Sequence, residues 1–256
     1  MTLARTTAHP APRSPFSFVG RAGRAARALT TVASSLALAA GVLALAPAPA
    51  HADGAVPSQE YFSYYPLNTV HQKGITGKGV TIAVIDGPVD TSNPALKGAN
   101  ITDKSRCTIQ DSPEGVRHGT DMAIILVSPI SGVAPDATLY TYQSSTSTTT
   151  SNGSCDSNGD RLNTIAALIN QAVEDGAQII SISLSVSDSS NELKWAVTNA
   201  ITKGVIIVAA AGNEALPDDI TTLGRYSGVV GVSAINSDGT FASYSNWADG
   251  MVTAAF

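Results

Sequence analysis

From about residue 78 onward, short runs of β-branched and aliphatic residues alternate with stretches whose apolar positions recur at helical spacing. Continuous apolar runs predict strands buried on both faces, and their alternation with helices predicts an α/β fold: a doubly wound, mainly parallel sheet with helices on both faces. Strands are expected over residues 80–85, 138–143, 178–184, 205–210 and 229–232. One helix is expected to start near His118 and run through Met122, Ile124, Ile125 and Leu126 to stop before Pro129. A second places Leu162, Ile165, Ala166, Ile169, Ala172 and Val173 on one face, with Asp160 as its cap and Gly176 as its stop. A third spans 190–203, with Leu193, Trp195, Ala196, Ala200 and Ile201 inward and Gly204 as its stop. Residues 144–160, almost wholly Ser, Thr, Asn, Gly and Asp, read as a surface loop. Right-handed crossovers bring the strand C-termini to one edge, where sheets of this kind place their sites.

The region before this alternation has another character. Arg21, Arg24 and Arg27 precede an apolar stretch from Leu29 to Ala46, then Pro47, Pro49 and the small-x-small sequence Ala50-His51-Ala52. This pattern predicts a signal peptide over 1–52, cut after Ala52. An uncleaved anchor is the alternative, because the stretch approaches the ~20 residues that span a bilayer; Thr30, Thr31, Ser34, Ser35 and many alanines make it weakly apolar. The expectation is therefore a secreted, extracellular protein with no stable membrane anchor. Residues 53–79 form an N-terminal extension, and 80–256 the main domain.

Charge narrows the partners. The first 52 residues hold Arg5, Arg13, Arg21, Arg24 and Arg27 and no acid, so the remainder carries 10 basic against 20 acidic residues. Such a surface repels phosphate backbones, which argues against a nucleic-acid partner. Cys107 and Cys155 both follow the leader in polar, turn-rich stretches. An even count in an exported chain points to one disulfide, two free thiols being the alternative.

Three residues stand where chemistry is expected. Asp86 ends the first strand in Val84-Ile85-Asp86-Gly87-Pro88; a carboxylate after a buried strand needs partners, although it also suits a turn before Gly-Pro. His118 opens an apolar helix in Arg117-His118-Gly119-Thr120, where it serves as an acid–base group or as a structural histidine. Asn213 follows the fourth strand in Ala210-Ala211-Gly212-Asn213-Glu214. Its amide can donate to a developing oxyanion, with Gly212 leaving room for close approach, or simply occupy a turn. No G-x-G-x-x-G follows the first strand, which argues against a nucleotide-binding domain.

Together these segments resemble the subtilisin-like serine proteases (subtilases, peptidase S8). Val84-Ile85-Asp86, His118-Gly119-Thr120 and Ala210-Ala211-Gly212-Asn213 fall in the family's order, joined by Gly132-Val133-Ala134-Pro135-Asp136-Ala137 and Phe241-Ala242-Ser243-Tyr244-Ser245-Asn246. The resemblance implies endopeptidase chemistry on an extended peptide or protein substrate, by a monomer without a cofactor. His118 would be the general base, Asp86 its orienting carboxylate, and Asn213 the oxyanion donor. Ser183-Leu184-Ser185 matches the edge that pairs with substrate.

The sequence also departs from the family. The family's serine lies in a Gly-Thr-Ser-Met-Ala segment downstream of the Phe-Ala-Ser-Tyr-Ser-Asn stretch, and these 256 residues contain none. Ser243 and Ser245 lack an elbow that would expose a hydroxyl. The domain is thus expected to be incomplete before its serine, and whether the chain acts as an enzyme stays open, with a non-catalytic peptide-binding pseudoprotease or a decayed gene product as the alternative. Asp121 stands where the family often has a second His and is expected to favour protonated His118. Ser185 and Val186 replace two common glycines, which predicts a narrower groove. The helix from His118 reaches Gly132 too soon for the family's calcium loop, so no metal is expected. The 27 residues between Ala52 and Val80 do not accommodate the usual folding-assisting pro-domain.

Overall fold

The strongest apolar runs become the centre of one sheet. The structure, a computed structural model, describes residues 60–144, 149–151, 155–157, 160–217, 222–247 and 252–255; the proposed signal peptide and residues 53–59 lie outside them. In chain order the elements are α1 (Glu60–Tyr64), α2 (Leu67–Gln72), β1 (Thr81–Asp86), β2 (Asn100–Asp103), β3 (Gln110–Asp111), α3 (Pro113–Val127), β4 (Thr138–Gln143), β5 (Thr149–Ser151), β6 (Asp156–Ser157), β7 (Asp160–Arg161), α4 (Ile165–Glu174), β8 (Ile179–Ile182), α5 (Asn191–Thr202), β9 (Ile206–Ala210), β10 (Val229–Ala234) and β11 (Val252–Ala255).

Seven strands form a parallel sheet in the order β11-β10-β9-β8-β1-β4-β2. From β1 the chain goes first to the outer position on one side (β2), comes back through β4 beside β1, then passes β1 and adds β8 to β11 in order on the other side. That reversal beside β1 is the topological switch point at which doubly wound sheets open a crevice. Strand β1 alternates between two cores: Ala83 and Ile85 pack with α4 and α5, whereas Ile82 and Val84 pack with Ala123, Ile124 and Val127 of α3. Helices on both faces explain why its sequence is continuously apolar rather than alternating.

Several expected boundaries move, each for a local reason. Helix α3 begins at Pro113, so His118 sits in its second turn and not at its start: Ser112 caps it, the Oγ accepting from Gly115 N at 3.2 Å, with Pro113 in the first turn. The cap of α4 is Thr164, whose Oγ1 accepts from Ala167 N at 3.2 Å, while Asp160 lies in β7. Strand β8 ends at Ile182, two residues early, and Trp195 of α5 is 72% exposed rather than inward. The polar segment 144–160 contributes three short strands, β3 pairing with β5 and β6 with β7. Within it Cys155 is buried and joined by a disulfide to Cys107 across a separation of 48 residues.

The extension is packed onto the domain. The Tyr61 hydroxyl donates to Ser131 O at 2.7 Å and His71 Nε2 to Val133 O at 3.0 Å, and Asp136 N donates to Thr76 O at 2.9 Å. Among the described residues no helix is long and apolar enough to cross a membrane.

Candidate active site

Strand β1 carries Asp86 to the C-terminal edge of the sheet, where it is fully buried. One carboxylate oxygen, Oδ1, accepts from Gly87 N at 2.7 Å and from His118 Nδ1 at 2.7 Å. Oδ2 is also buried, and no described protein group bonds to it. A carboxylate only accepts, so Nδ1 is the donor and the unprotonated nitrogen of the neutral ring is Nε2.

Close backbone approach makes this contact possible. A Cβ on Gly119 would lie 2.5 Å from Gly87 O and 2.7 Å from Pro88 O, and one on Gly87 would lie 2.6 Å from Gly115 O. Glycine at these positions lets α3 lie against the chain leaving β1. Thr120 fastens the same junction: its Oγ1 accepts from Asp90 N at 2.9 Å and donates to Val116 O at 2.7 Å. The Gly-Thr step beside His118 is therefore the packing surface that aims the imidazole.

The Asp86 hydrogen bond raises the His118 pKa above the ordinary histidine value; burial opposes it, and the charges of Asp86 and Asp121 reinforce it. Asp121 acts in the expected direction but behind Asp86, because its carboxylate also accepts from Arg117 Nη1 at 3.0 Å and Arg117 itself lowers the pKa. A raised folded pKa means that folding favours the protonated form. The pair's contribution to stability is then fully present below the unfolded value of about 6.5 and disappears as pH rises through the higher folded value. Melting temperatures measured from pH 5 to 9 are expected to show this loss in the wild type and not in His118→Gln; parallel curves would refute it.

Asn213 lies just beyond β9 on the same edge and is exposed. Gly212 before it has φ 107°, a backbone conformation suited to glycine, and a Cβ there would lie 2.4 Å from Asn246 Nδ2. Buried Asn246 holds this loop: its Oδ1 accepts from Glu214 N at 3.1 Å and Leu216 N at 3.0 Å, and its Nδ2 donates to Ala211 O at 3.1 Å and Glu214 Oε2 at 2.6 Å. Glu214 Oε2 also accepts from Asn213 N at 2.9 Å. Across the edge, Ser183, Leu184 and Ser185 follow β8 as irregular, partly exposed chain. Ser185 Oγ donates to Glu214 Oε1 at 3.3 Å, bridging the two loops. Between them lies a pocket of about 280 Å³ lined by Ser185, Val186, Ala211, Glu214, Leu216 and Asn246 among others. Glu214 and Asn246 do not stand out as site residues in the sequence, because their contacts join loops 30 or more residues apart.

Ser245 is buried, and its Oγ is engaged by backbone, accepting from Ala234 N at 2.9 Å and donating to Asn246 O at 3.0 Å. It props the loop and has no exposed hydroxyl to offer. Among the described residues no group of three or more His, Cys, Asp or Glu is arranged to hold a metal ion.

Comparison with known proteins assigns the chain to a family. The model of the subtilase family (peptidase S8) matches residues 77–254. This chain belongs to the subtilase family. Subtilisin E of Bacillus subtilis (strain 168) is 32% identical over 188 residues, covering 69% of this chain and 46% of the relative. The major intracellular serine protease of the same strain is 34% identical over 188 residues, covering 68% of this chain and 56% of that one. The chain thus spans about half the length of these relatives. Among solved structures, the psychrophilic subtilisin-like protease Apa1 from Pseudoalteromonas sp. AS-11 superposes with a TM-score of 0.56 at 21% identity, covering 73% of this chain and 44% of that one. The prenylagaramide maturation protease PagA gives a TM-score of 0.57 at 24% identity, covering 72% and 63%. The subtilase fold accounts for the mainly parallel sheet flanked by helices.

Proposed function

We propose that the protein is a secreted serine endopeptidase in which Asp86 and His118 are two members of an Asp/His/Ser triad, the serine lying outside these 256 residues. The observation that carries this reading is the 2.7 Å bond from His118 Nδ1 to Asp86 Oδ1. It fixes the tautomer that leaves Nε2 as the base, and a buried carboxylate behind the ring stabilises the imidazolium formed when a serine hydroxyl gives up its proton.

The rest of the edge supplies binding. An extended peptide pairs with the main chain of 183–185, and its side chain enters the pocket beside Glu214. The Asn213 amide donates to the tetrahedral oxyanion, a contribution of about 10²- to 10³-fold in such sites. Export rests on the leader over 1–52, since the relatives include both extracellular and intracellular proteases.

The test begins at the gene: read the frame around the codon for Phe256 and express the product that includes a Gly-Thr-Ser-Met-Ala segment. That product is expected to be labelled by a fluorophosphonate, a reagent for activated serines, and to cleave a fluorogenic peptide; residues 1–256 alone are expected to do neither. A locus with no such segment, or a serine-bearing product that stays unlabelled, overturns the reading. The second reading, a peptide-binding protein without catalysis, is favoured by the engagement of Ser245 with backbone, and peptide binding without labelling distinguishes it.

A further inference from the structure

Glu214, the residue after Asn213, is exposed, and an exposed glutamate ordinarily keeps its long side chain in solvent, since fixing one rotamer costs conformational entropy. Here the side chain folds back and both carboxylate oxygens are engaged. Oε2 accepts from Asn213 N at 2.9 Å and from Asn246 Nδ2 at 2.6 Å, and Oε1 accepts from Ser185 Oγ at 3.3 Å. Room for it comes from Gly212, where a Cβ would lie 2.5 Å from Oε2. One carboxylate thus joins the Asn213 backbone, the buried Asn246 brace and the 183–185 edge, through hydrogen bonds that its charge strengthens.

The backbone around Glu214 is determined from the other side. The N–H groups of residues 214, 215 and 216 all donate to the segment 244–246: Glu214 N and Leu216 N to Asn246 Oδ1, and Ala215 N to Tyr244 O at 2.8 Å. Between them Ala215 has φ 55°, the one positive value among the described non-glycine residues, a conformation that persists only where the surroundings over-determine it. Strain of this kind collects where a group has to be placed rather than merely connected, and the residue that this turn presents is Asn213.

We propose that Glu214 is a positioning residue: through its hydrogen bonds, and not through its charge acting on substrate, it fixes the place from which Asn213 donates to the oxyanion. The inference rests on the role proposed for Asn213 and names the group that holds it there. A displaced donor costs less than a deleted one, and a misplacement on the order of 1 Å costs about 10²-fold in rate.

Glu214→Gln separates hydrogen bonding from charge, since its oxygen can take both bonds of Oε2 while its NH₂ donates to Ser185 Oγ. In residues 1–256, hydrogen exchange at Asn213 N–H is expected to be about tenfold faster in Glu214→Ala than in the wild type, and within about threefold of it in Glu214→Gln. In the serine-bearing product Glu214→Ala is expected to lower kcat by about 10- to 100-fold with little change in KM, and Glu214→Gln to restore most of it. With Asn213→Ala already present, Glu214→Ala should cost no further kcat, because the two residues act as one unit. Unchanged exchange in Glu214→Ala, a Gln variant as impaired as the Ala variant, or penalties that multiply overturn the positioning role while leaving Asn213 its part. An Asn213→Ala variant with wild-type kcat instead removes the oxyanion reading itself. The exchange comparison needs only residues 1–256, so it decides whether Glu214 holds Asn213 even where no serine is recovered.

Discussion

Asp86→Asn in the serine-bearing product is expected to lower kcat by about 10⁴-fold with a much smaller change in KM. This is the magnitude that loss of the orienting carboxylate has in serine-protease triads, because an amide in its place favours the wrong imidazole tautomer. The geometry makes the effect specific: Oδ1 accepts from both Gly87 N and His118 Nδ1, and an Asn side chain can satisfy the backbone donor while turning its NH₂ toward the ring. The same substitution removes the main cause that raises the His118 pKa, so the histidine should titrate lower by NMR even in residues 1–256. A kcat within about tenfold of wild type, or an unchanged titration, would show that Asp86 does not hold the imidazole.

Reducing the Cys107–Cys155 bridge is expected to destabilise the domain by about 2–4 kcal/mol, the usual range for a disulfide, loop-closure entropy for this span lying at its upper end. For a domain of this size that corresponds to a fall in melting temperature on the order of 10 °C. The bridge joins the loop ahead of α3 to the Ser/Thr-rich segment after β4, and β3 pairs with β5 beside it. The measurement is a pair of thermal melts, with and without a phosphine reductant, checked against Cys107→Ser/Cys155→Ser. Superimposable melts would mean that the loops are held by other contacts alone.

The central strand β1 was legible because it is buried on both faces, so its sequence is almost wholly apolar up to Asp86, and the neighbouring strands because each is rich in β-branched, aliphatic or aromatic residues between polarity changes. Strand β4 occupies the expected 138–143 residue for residue, and β1 differs by one position. The start of α3 was harder to read, since its first turn, Pro113-Glu114-Gly115, adds nothing to the apolar period; the Ser112-Pro113 cap was the informative feature. Trp195 fits a helical period, but a helix side is buried only where a neighbour covers it, and none covers this residue. Asp86 and His118 could be placed because each follows or sits within a strongly patterned element. The Asn246 brace and Glu214 could not, since their partners lie 30 or more residues away in loops whose meeting depends on the strand order.

Strand order also governs how the molecule must assemble. β1, the earliest strand of the sheet in the chain, finishes between β4 and β8, so its hydrogen bonds wait for partners made 57 and 97 residues later. Parallel pairings over such separations are slow to find, because the entropy of closing the loops is lost before the contacts form. The Asp86–His118 contact, 32 residues apart, needs only β1 and the helix that follows it, whereas the Asn213 loop waits for β9 to join β8. The Asp86–His118 contact is thus able to form in a half-built chain, while the loop proposed to bind a peptide is completed later.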